Sequence, residues 1–200
     1  MDRAGSGRSG PRGPGARSRA RVGGLALPAL FALLLTGPGL EAAAPVVSLE
    51  RSRAPALRVR TVTGESLSLE KLLAAGPVVL GFWATWCHPC LAELPELETL
   101  HRRYGDRGLT VVGVSVDGPR NFAKVRPFAA KLGLTFPIVV DEDGRIQQLF
   151  QVGAVPTTIV IDSAGVLVAV REGYRPGDSR GLEAEVSKLV SPAQDEATKR

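Results

Sequence analysis

The most reactive side chains of this sequence are its only two cysteines, Cys87 and Cys90. They directly follow a short apolar run and open a segment in which leucines recur at helical spacing. The N-terminus of a helix offers unpaired backbone N–H groups and the positive end of the helix dipole, and both favour a thiolate. Cys90 lies one turn after Cys87, within disulfide reach. The pair therefore predicts thiol–disulfide exchange, in which one sulfur attacks a partner's disulfide and the other resolves the mixed intermediate.

Other uses of a cysteine pair have less support from the residues around it. A structural disulfide at this spacing closes a very short loop and gains little chain entropy. A zinc site needs about four ligands, and only His88 and His101 are available in addition to the pair. Covalent haem requires a histidine directly after the second cysteine, where Leu91 stands. We therefore predict no metal and no cofactor.

Three neighbouring residues are candidates for tuning the thiols. His88 can donate a hydrogen bond to a thiolate at Cys87, or stabilise it when charged, although the side chain can equally face solvent. Pro89 suits an early helical position, where its missing N–H costs nothing. Glu93 lies one turn after Cys90 and can turn toward the same face. If Glu93 is buried, its pKa is raised and it suits proton exchange with a thiol, whereas the alternative is an ordinary exposed acid.

The elements that must position these residues alternate between strands and helices. An apolar run at 78–83 predicts a buried strand before the cysteines, and the segment 89–104 predicts an amphipathic helix after them. Strands are also predicted at 57–62, 109–116, 136–140, 157–161 and 166–170, and helices at 66–73, 121–132, 145–150 and 176–190. The order predicts an α/β fold whose sheet is parallel in its first half, with an antiparallel hairpin later.

Charge is distributed unevenly along the chain. The first 22 residues hold six arginines and one acid, so they carry the whole formal net charge of +5. The neutral remainder argues against nucleic-acid binding, which needs a basic folded surface. An uncharged apolar run at 22–35 and three alanines at 42–44 follow the arginines. Residues 1–44 are therefore predicted to be a signal peptide or an N-terminal membrane anchor, followed by a linker at 45–56, a domain at 57–190 and a disordered tail at 191–200.

Two segments resemble a known family. The run FWATWCHPC, which ends at Cys90, resembles the active-site segment of thioredoxins and specifically of exported TlpA/ResA-like thiol–disulfide oxidoreductases, within the wider AhpC/TSA-redoxin group. The run VPTT, which begins at Val155, resembles the cis-proline loop that faces the cysteines in that fold. The resemblance covers residues 57–190. It implies an α/β thioredoxin-like fold with a central mixed sheet and helices on both faces.

The resemblance also implies roles for single residues. Cys87 would be the exposed nucleophile and Cys90 the resolving thiol, with Trp83 and Trp86 packed around them. Pro156 would be cis, and Trp86, Val155 and Pro156 would form the substrate-binding surface. A glutamate at the place of Glu93 manages protons in the ResA-like group. Thioredoxins carry an aspartate six residues before the first cysteine, and here Gly81 stands there instead.

The implied function is a protein disulfide reductase outside the cytoplasm, in the periplasm or on the outer face of the membrane. Its partners would be proteins with disulfides or thiols and a membrane electron donor such as a DsbD/CcdA-like protein. A role in cytochrome c maturation is one expectation. Disulfide oxidation or isomerisation is an alternative, favoured by His88. A peroxiredoxin-like antioxidant enzyme is another, although Leu80 replaces the proline of its motif, and a Cu(I)-binding protein is a third.

Overall fold

The computed structural model describes residues 51–190 of the chain. The predicted signal peptide or anchor at 1–44, the tail at 191–200 and the start of the predicted linker lie outside the described residues, and the domain limits remain predictions. The strands are β1 (Arg58–Arg60), β2 (Ser66–Ser68), β3 (Val78–Trp83), β4 (Thr110–Ser115), β5 (Ile138–Val140), β6 (Thr157–Ile161) and β7 (Leu167–Glu172). The helices are α1 (Leu69–Ala75), α2 (His88–Tyr104), α3 (Phe122–Lys131), α4 (Arg145–Leu149) and α5 (Asp178–Leu189).

A five-stranded sheet forms the centre of the described part, in the order β5-β4-β3-β6-β7. Strands β3, β4 and β5 run parallel, whereas β6 is antiparallel to both β3 and β7. This arrangement confirms the predicted mixed sheet. Because β3 is the central strand and is buried throughout, the chain that leaves its C-terminal end is held from both sides.

Helices cover both faces of the sheet, as predicted. Side chains of α2, α3 and α5 share one buried cluster with Val79, Trp83 and both cysteines. Side chains of α1 and the Ile146 side chain of α4 pack in a second cluster with Val78, Leu80 and Phe82. Successive residues of β3 thus point to opposite faces, as the period of two in a strand requires. The cysteines lie on the α2 face.

The prediction of a helix at 66–73 is wrong in its first turn. Residues Ser66–Ser68 form β2, which pairs antiparallel with β1 and places Leu67 opposite Val59. The Leu67 side chain is buried while Ser66 is exposed, an alternation that suits a strand with one covered face. The helix begins only at Leu69.

The segment that precedes β2 hydrogen-bonds to the two outermost strands of the sheet. Within the predicted linker, the N–H of Arg51 donates to Leu167, and the N–H of Leu167 donates to Ser52. At the opposite side of the sheet, Thr61 bridges to Val139 in β5.

Among residues 51–190, no helix is both long enough and apolar enough to cross a bilayer.

Candidate active site

Cys87 and Cys90 lie at the N-terminus of α2, directly after the central strand. Cys87 is the N-cap residue, and the N–H of Cys90 donates to the Cys87 Sγ at 3.3 Å. The two side chains form a disulfide, with Cα atoms 5.3 Å apart. Pro89 occupies the first turn of the helix, as predicted. The disulfide is thus held by the strand before it and by the helix that it opens.

The expectation of an exposed Cys87 is wrong for this disulfide form. Cys87 is 4% exposed and Cys90 is 0% exposed. Cys87 is the more exposed of the two, which agrees with the implied roles, but little of its surface reaches solvent. The cause is the packing of both side chains in the same cluster as Trp83 and Leu94.

The aromatic and polar neighbours of the pair divide into buried and exposed groups. Trp83 is buried and stacks on Phe128, with ring centroids 6.0 Å apart. Trp86 does not pack around the site as expected, because 64% of its surface is exposed. His88 and Pro89 are also exposed. These three side chains present a mixed aromatic and polar surface beside the disulfide.

The loop before β6 supplies a second wall of the site. The peptide bond between Val155 and Pro156 is cis, which confirms the conformation expected for Pro156. Phe82 and Thr157 are paired in the sheet, so the start of β6 lies at the same sheet end as the chain leading to Cys87. Val155 is half-buried and Pro156 is buried. Their role in binding a substrate stays a prediction.

Glu93 is a buried carboxyl group held by a threonine. It is 7% exposed, and the Thr158 hydroxyl donates to its Oε1 at 2.7 Å. Loss of hydration on burial raises the pKa of Glu93 to about 7; the Thr158 hydrogen bond opposes this shift, and the charges of Glu96 and Asp178 add to it. The alternative of an ordinary exposed acid is therefore excluded, and Glu93 can hold or release a proton near neutral pH.

Gly81 lies close to α2, at the strand position where thioredoxins carry an aspartate. A Cβ at Gly81 would lie only 2.6 Å from the Leu97 Cδ1 atom of α2, so a side chain at this strand position would require the Leu97 side chain to shift. Gly81 is paired with Thr158 in the sheet. Thr158, the partner of Glu93, thus lies next to the position where thioredoxins carry their aspartate. Here the carboxyl group reaches this neighbourhood from α2 rather than from β3.

Asp117 is a site residue that the sequence reasoning missed. Its side chain is 0% exposed and accepts hydrogen bonds from the Thr85 N–H at 2.8 Å and the Thr85 hydroxyl at 2.6 Å. The Ser115 hydroxyl donates to it as well, at 2.8 Å. Trp83 and Ser115 are paired in the parallel register, so Asp117 lies across from Thr85. This carboxylate therefore fixes the turn between β3 and Cys87.

Replacing Asp117 with alanine is expected to destabilise the oxidised protein by about 2–3 kcal/mol, because the part-buried Thr85 N–H and hydroxyl and the buried Ser115 hydroxyl would lose their acceptor. Asp117→Asn keeps one acceptor oxygen and should cost less. Urea unfolding followed by circular dichroism measures both variants, and the exposed Asp106 replaced by alanine serves as the control. An unchanged midpoint in Asp117→Ala would show that the turn does not depend on this carboxylate.

The geometry supports dithiol–disulfide chemistry with a proton acceptor at hand. A disulfide begins a helix, a cis-proline loop lies at the same sheet end, and a buried carboxyl group lies one turn along the helix. Within the described residues, no group of three or more histidine, cysteine or acidic side chains has a metal-binding arrangement. His101 is half-buried and packs edge-on against Phe136.

Comparisons with known proteins agree with this geometry. The AhpC/TSA family matches residues 51–170. The chain is 40% identical to thioredoxin-like protein YneN of Bacillus subtilis over 62% of this chain and 72% of that protein. It is 34% identical to thiol-disulfide oxidoreductase ResA of Halalkalibacterium halodurans, over 64% and 70% of the two chains. A thioredoxin-family thiol:disulfide interchange protein from Chlorobium tepidum superimposes with a TM-score of 0.61 at 25% identity, over 70% of this chain and 97% of that one.

Proposed function

Because this chain belongs to the AhpC/TSA family, with TlpA/ResA-like relatives, and is a thiol–disulfide oxidoreductase, we propose that it reduces disulfides of partner proteins outside the cytoplasm. The observation that carries the proposal is the Cys87–Cys90 disulfide at the start of α2, with the buried Glu93 one turn further along. Cys87 acts as the nucleophile, Cys90 resolves the intermediate, and Glu93 exchanges the proton of Cys90.

The proposed cycle starts from the reduced pair. The Cys87 thiolate attacks one sulfur of the substrate disulfide, forming a mixed disulfide and releasing one substrate thiolate. The Cys90 thiol gives its proton to the Glu93 carboxylate and attacks the Cys87 sulfur. This second step breaks the mixed disulfide and releases the other substrate thiolate. Two electrons have then passed to the substrate, and the pair is oxidised as in this structure.

The substrate surface that we propose comprises Trp86, Val155 and Pro156. Trp86 provides an exposed apolar ring, and Val155 offers its backbone to an extended peptide. The exposed His88 and the helical Pro89 tune the thiols of the pair. A peptide bound in this way would cover what remains accessible of Cys87, so recognition and attack would take place at one end of the sheet.

The cellular setting is part of the proposal. The arginine-rich, then apolar, residues 1–44 support export, with retention as an anchor or cleavage as a signal. A reductase in an oxidising compartment needs electrons from across the membrane, which a DsbD/CcdA-like donor supplies. The substrate that we propose is an oxidised haem-attachment cysteine pair, as the resemblance to ResA-like oxidoreductases implies, and the protein would then act in cytochrome c maturation.

Disulfide donation is the second candidate function, and the exposed His88 between the cysteines favours it. A charged imidazole beside Cys87 stabilises the thiolate, which stabilises the reduced form and makes the disulfide more oxidising. In that case the protein would pass its disulfide to reduced partners, and it would need an electron acceptor rather than a donor.

The reduction potential of the Cys87–Cys90 pair decides between the two directions. For a reductase we expect a value near that of thioredoxin, about −270 mV, measured by equilibration against defined thiol–disulfide buffers. His88→Ala should then lower the potential only slightly, because in a reductase His88 tunes the thiols without determining the direction of exchange; His101→Ala is the control. A value toward about −120 mV, shifted down by His88→Ala, would contradict the reductase proposal and identify a disulfide donor.

A further inference from the structure

A pocket of about 250 Å³ opens beside Glu93 on the α2 face of the sheet. Its walls come from α2, from the end of β7 with the turn after it, and from the first turns of α5. Glu93 and Glu96 line it from α2, Tyr174 from the turn, and Asp178 and Ser179 from α5. The pocket therefore connects a buried carboxyl group with the protein surface.

The pocket lies apart from the surface that a substrate would cover. None of its lining residues belongs to the Trp86–Cys90 segment or to the Val155–Pro156 loop. A protein bound over Cys87 and the cis-proline loop would close the approach to Glu93 past the cysteines. The pocket would stay open to water during that contact.

Charged and polar groups surround Glu93 from each neighbouring element. Thr158 of β6 donates to it, as described above, and the disulfide lies one turn before it in α2. The Tyr174 hydroxyl donates to Glu96 Oε1 at 2.6 Å, so the phenol holds that carboxylate at the pocket. Arg171 and Glu172 of β7 and Asp178 of α5 complete the charged lining. The Arg171 guanidinium is paired with Glu185 at 2.7 Å.

We propose that Glu93 exchanges its proton with solvent through this pocket while a substrate protein covers the cysteines, and that Glu96, held by Tyr174, is the positioning residue of this route. The inference rests on the proposed function, because it assigns a path to the proton that Cys90 releases. Cys90 gives its proton to Glu93, Glu93 passes it to water in the pocket, and the released substrate thiolate takes up a proton from solvent.

The electrostatics of the pocket fit such a route. Burial and the negative charges of Glu96 and Asp178 raise the pKa of Glu93 to about 7. Near neutral pH, Glu93 is therefore present in both its ionised and its protonated form. It must be ionised to accept the Cys90 proton. The resolution step should therefore speed up as the pH rises through about 7.

The experiment is to narrow the pocket and to compare a large substrate with a small one. Ser179→Met places a longer side chain in the opening, and Ser179→Ala is the matched control that leaves it open. Reduced protein is mixed rapidly with excess insulin or with excess glutathione disulfide, and Trp fluorescence follows the resolution step. We expect Ser179→Met to slow resolution about threefold or more with insulin and to leave the glutathione reaction unchanged. The reason is that insulin, unlike glutathione, is large enough to cover Cys87 and the cis-proline loop.

Glu93→Gln separates this inference from the proposed function. Because it removes the proton acceptor, it should slow resolution about tenfold or more with both substrates and abolish the rise in rate through neutral pH. If Glu93→Gln changes neither the rate of resolution nor its dependence on pH, Glu93 is not the proton acceptor that the proposed function requires. If Glu93→Gln slows both reactions while Ser179→Met slows neither, or slows both equally, the pocket route alone is overturned.

A second readout tests the positioning role of Glu96. Glu96→Gln removes one negative charge near Glu93, so the midpoint of the rate–pH profile should fall by about half a unit to one unit. Resolution at pH 6 would then be faster than in the unaltered protein. Glu70→Gln, an exposed acid on α1, is the charge-matched control. An unchanged midpoint in Glu96→Gln would overturn the assignment of Glu96.

Discussion

Cys87→Ser is expected to abolish disulfide exchange. A serine hydroxyl does not ionise near neutral pH, and it can form no mixed disulfide with a substrate. The position at the N-cap of α2 would still be occupied by a good capping side chain. The fold should therefore persist while the chemistry is lost. The measurement is the reduction of insulin with dithiothreitol as electron source, in which activity should fall to the uncatalysed background.

Controls for this variant separate lost chemistry from lost structure. The disulfide closes a loop of only a few residues and adds little to stability through chain entropy. The circular dichroism spectrum and the urea midpoint of Cys87→Ser should accordingly stay close to those of the reduced unaltered protein. An insulin-reducing activity near the unaltered level would show that Cys87 is not the attacking residue.

Cys90→Ser is expected to accumulate mixed disulfides instead of turning over. Cys87 can still attack a substrate disulfide in this variant, but no second thiol is present to release the product. Cys90 is the more deeply buried of the two, at 0% exposure, which suits a thiol that reacts only with its neighbour. Incubation with insulin followed by a non-reducing gel should show a covalent adduct that dithiothreitol removes.

The matched control for trapping is Cys87→Ser, whose remaining thiol is inaccessible to a protein substrate. Little adduct is expected from it under the same conditions. If Cys90→Ser turned over insulin at a normal rate, the two-thiol mechanism would be wrong. If adducts formed equally with both variants, the assignment of the two roles would fail.

Much of the fold could be predicted from the sequence because its signals are local. The apolar run of β3 and the leucine spacing of α2 mark the elements on either side of the cysteines, and both lie where they were predicted. The three residues of β2 are too few to show the alternating pattern of a strand, so the sequence does not distinguish them from the first turn of the helix that follows. The cis bond at Pro156 was expected only from the family resemblance, since trans is the usual state before proline.

The contacts that complete the site join residues far apart in the chain. Thr158 and Glu93 are 65 residues apart, and Thr85 and Asp117 are 32 apart. Such pairs depend on the register of neighbouring strands, which no local pattern reports. A partial signal did exist for Asp117. It is an acid directly after the strand predicted at 109–116, and the carboxyl ends of adjacent parallel strands meet at one sheet end.

The backbone bonds from the segment before β2 to both outermost strands have a consequence for the behaviour of the protein in solution. A strand with an unpaired outer side is a template on which another chain can add, and repeated addition leads to cross-β aggregates. Residues 51–54 occupy part of that side beside Leu167, and Thr61 does so beside Val139. Proteolytic removal of this segment would therefore lower the solubility of the protein more than its thiol–disulfide exchange activity.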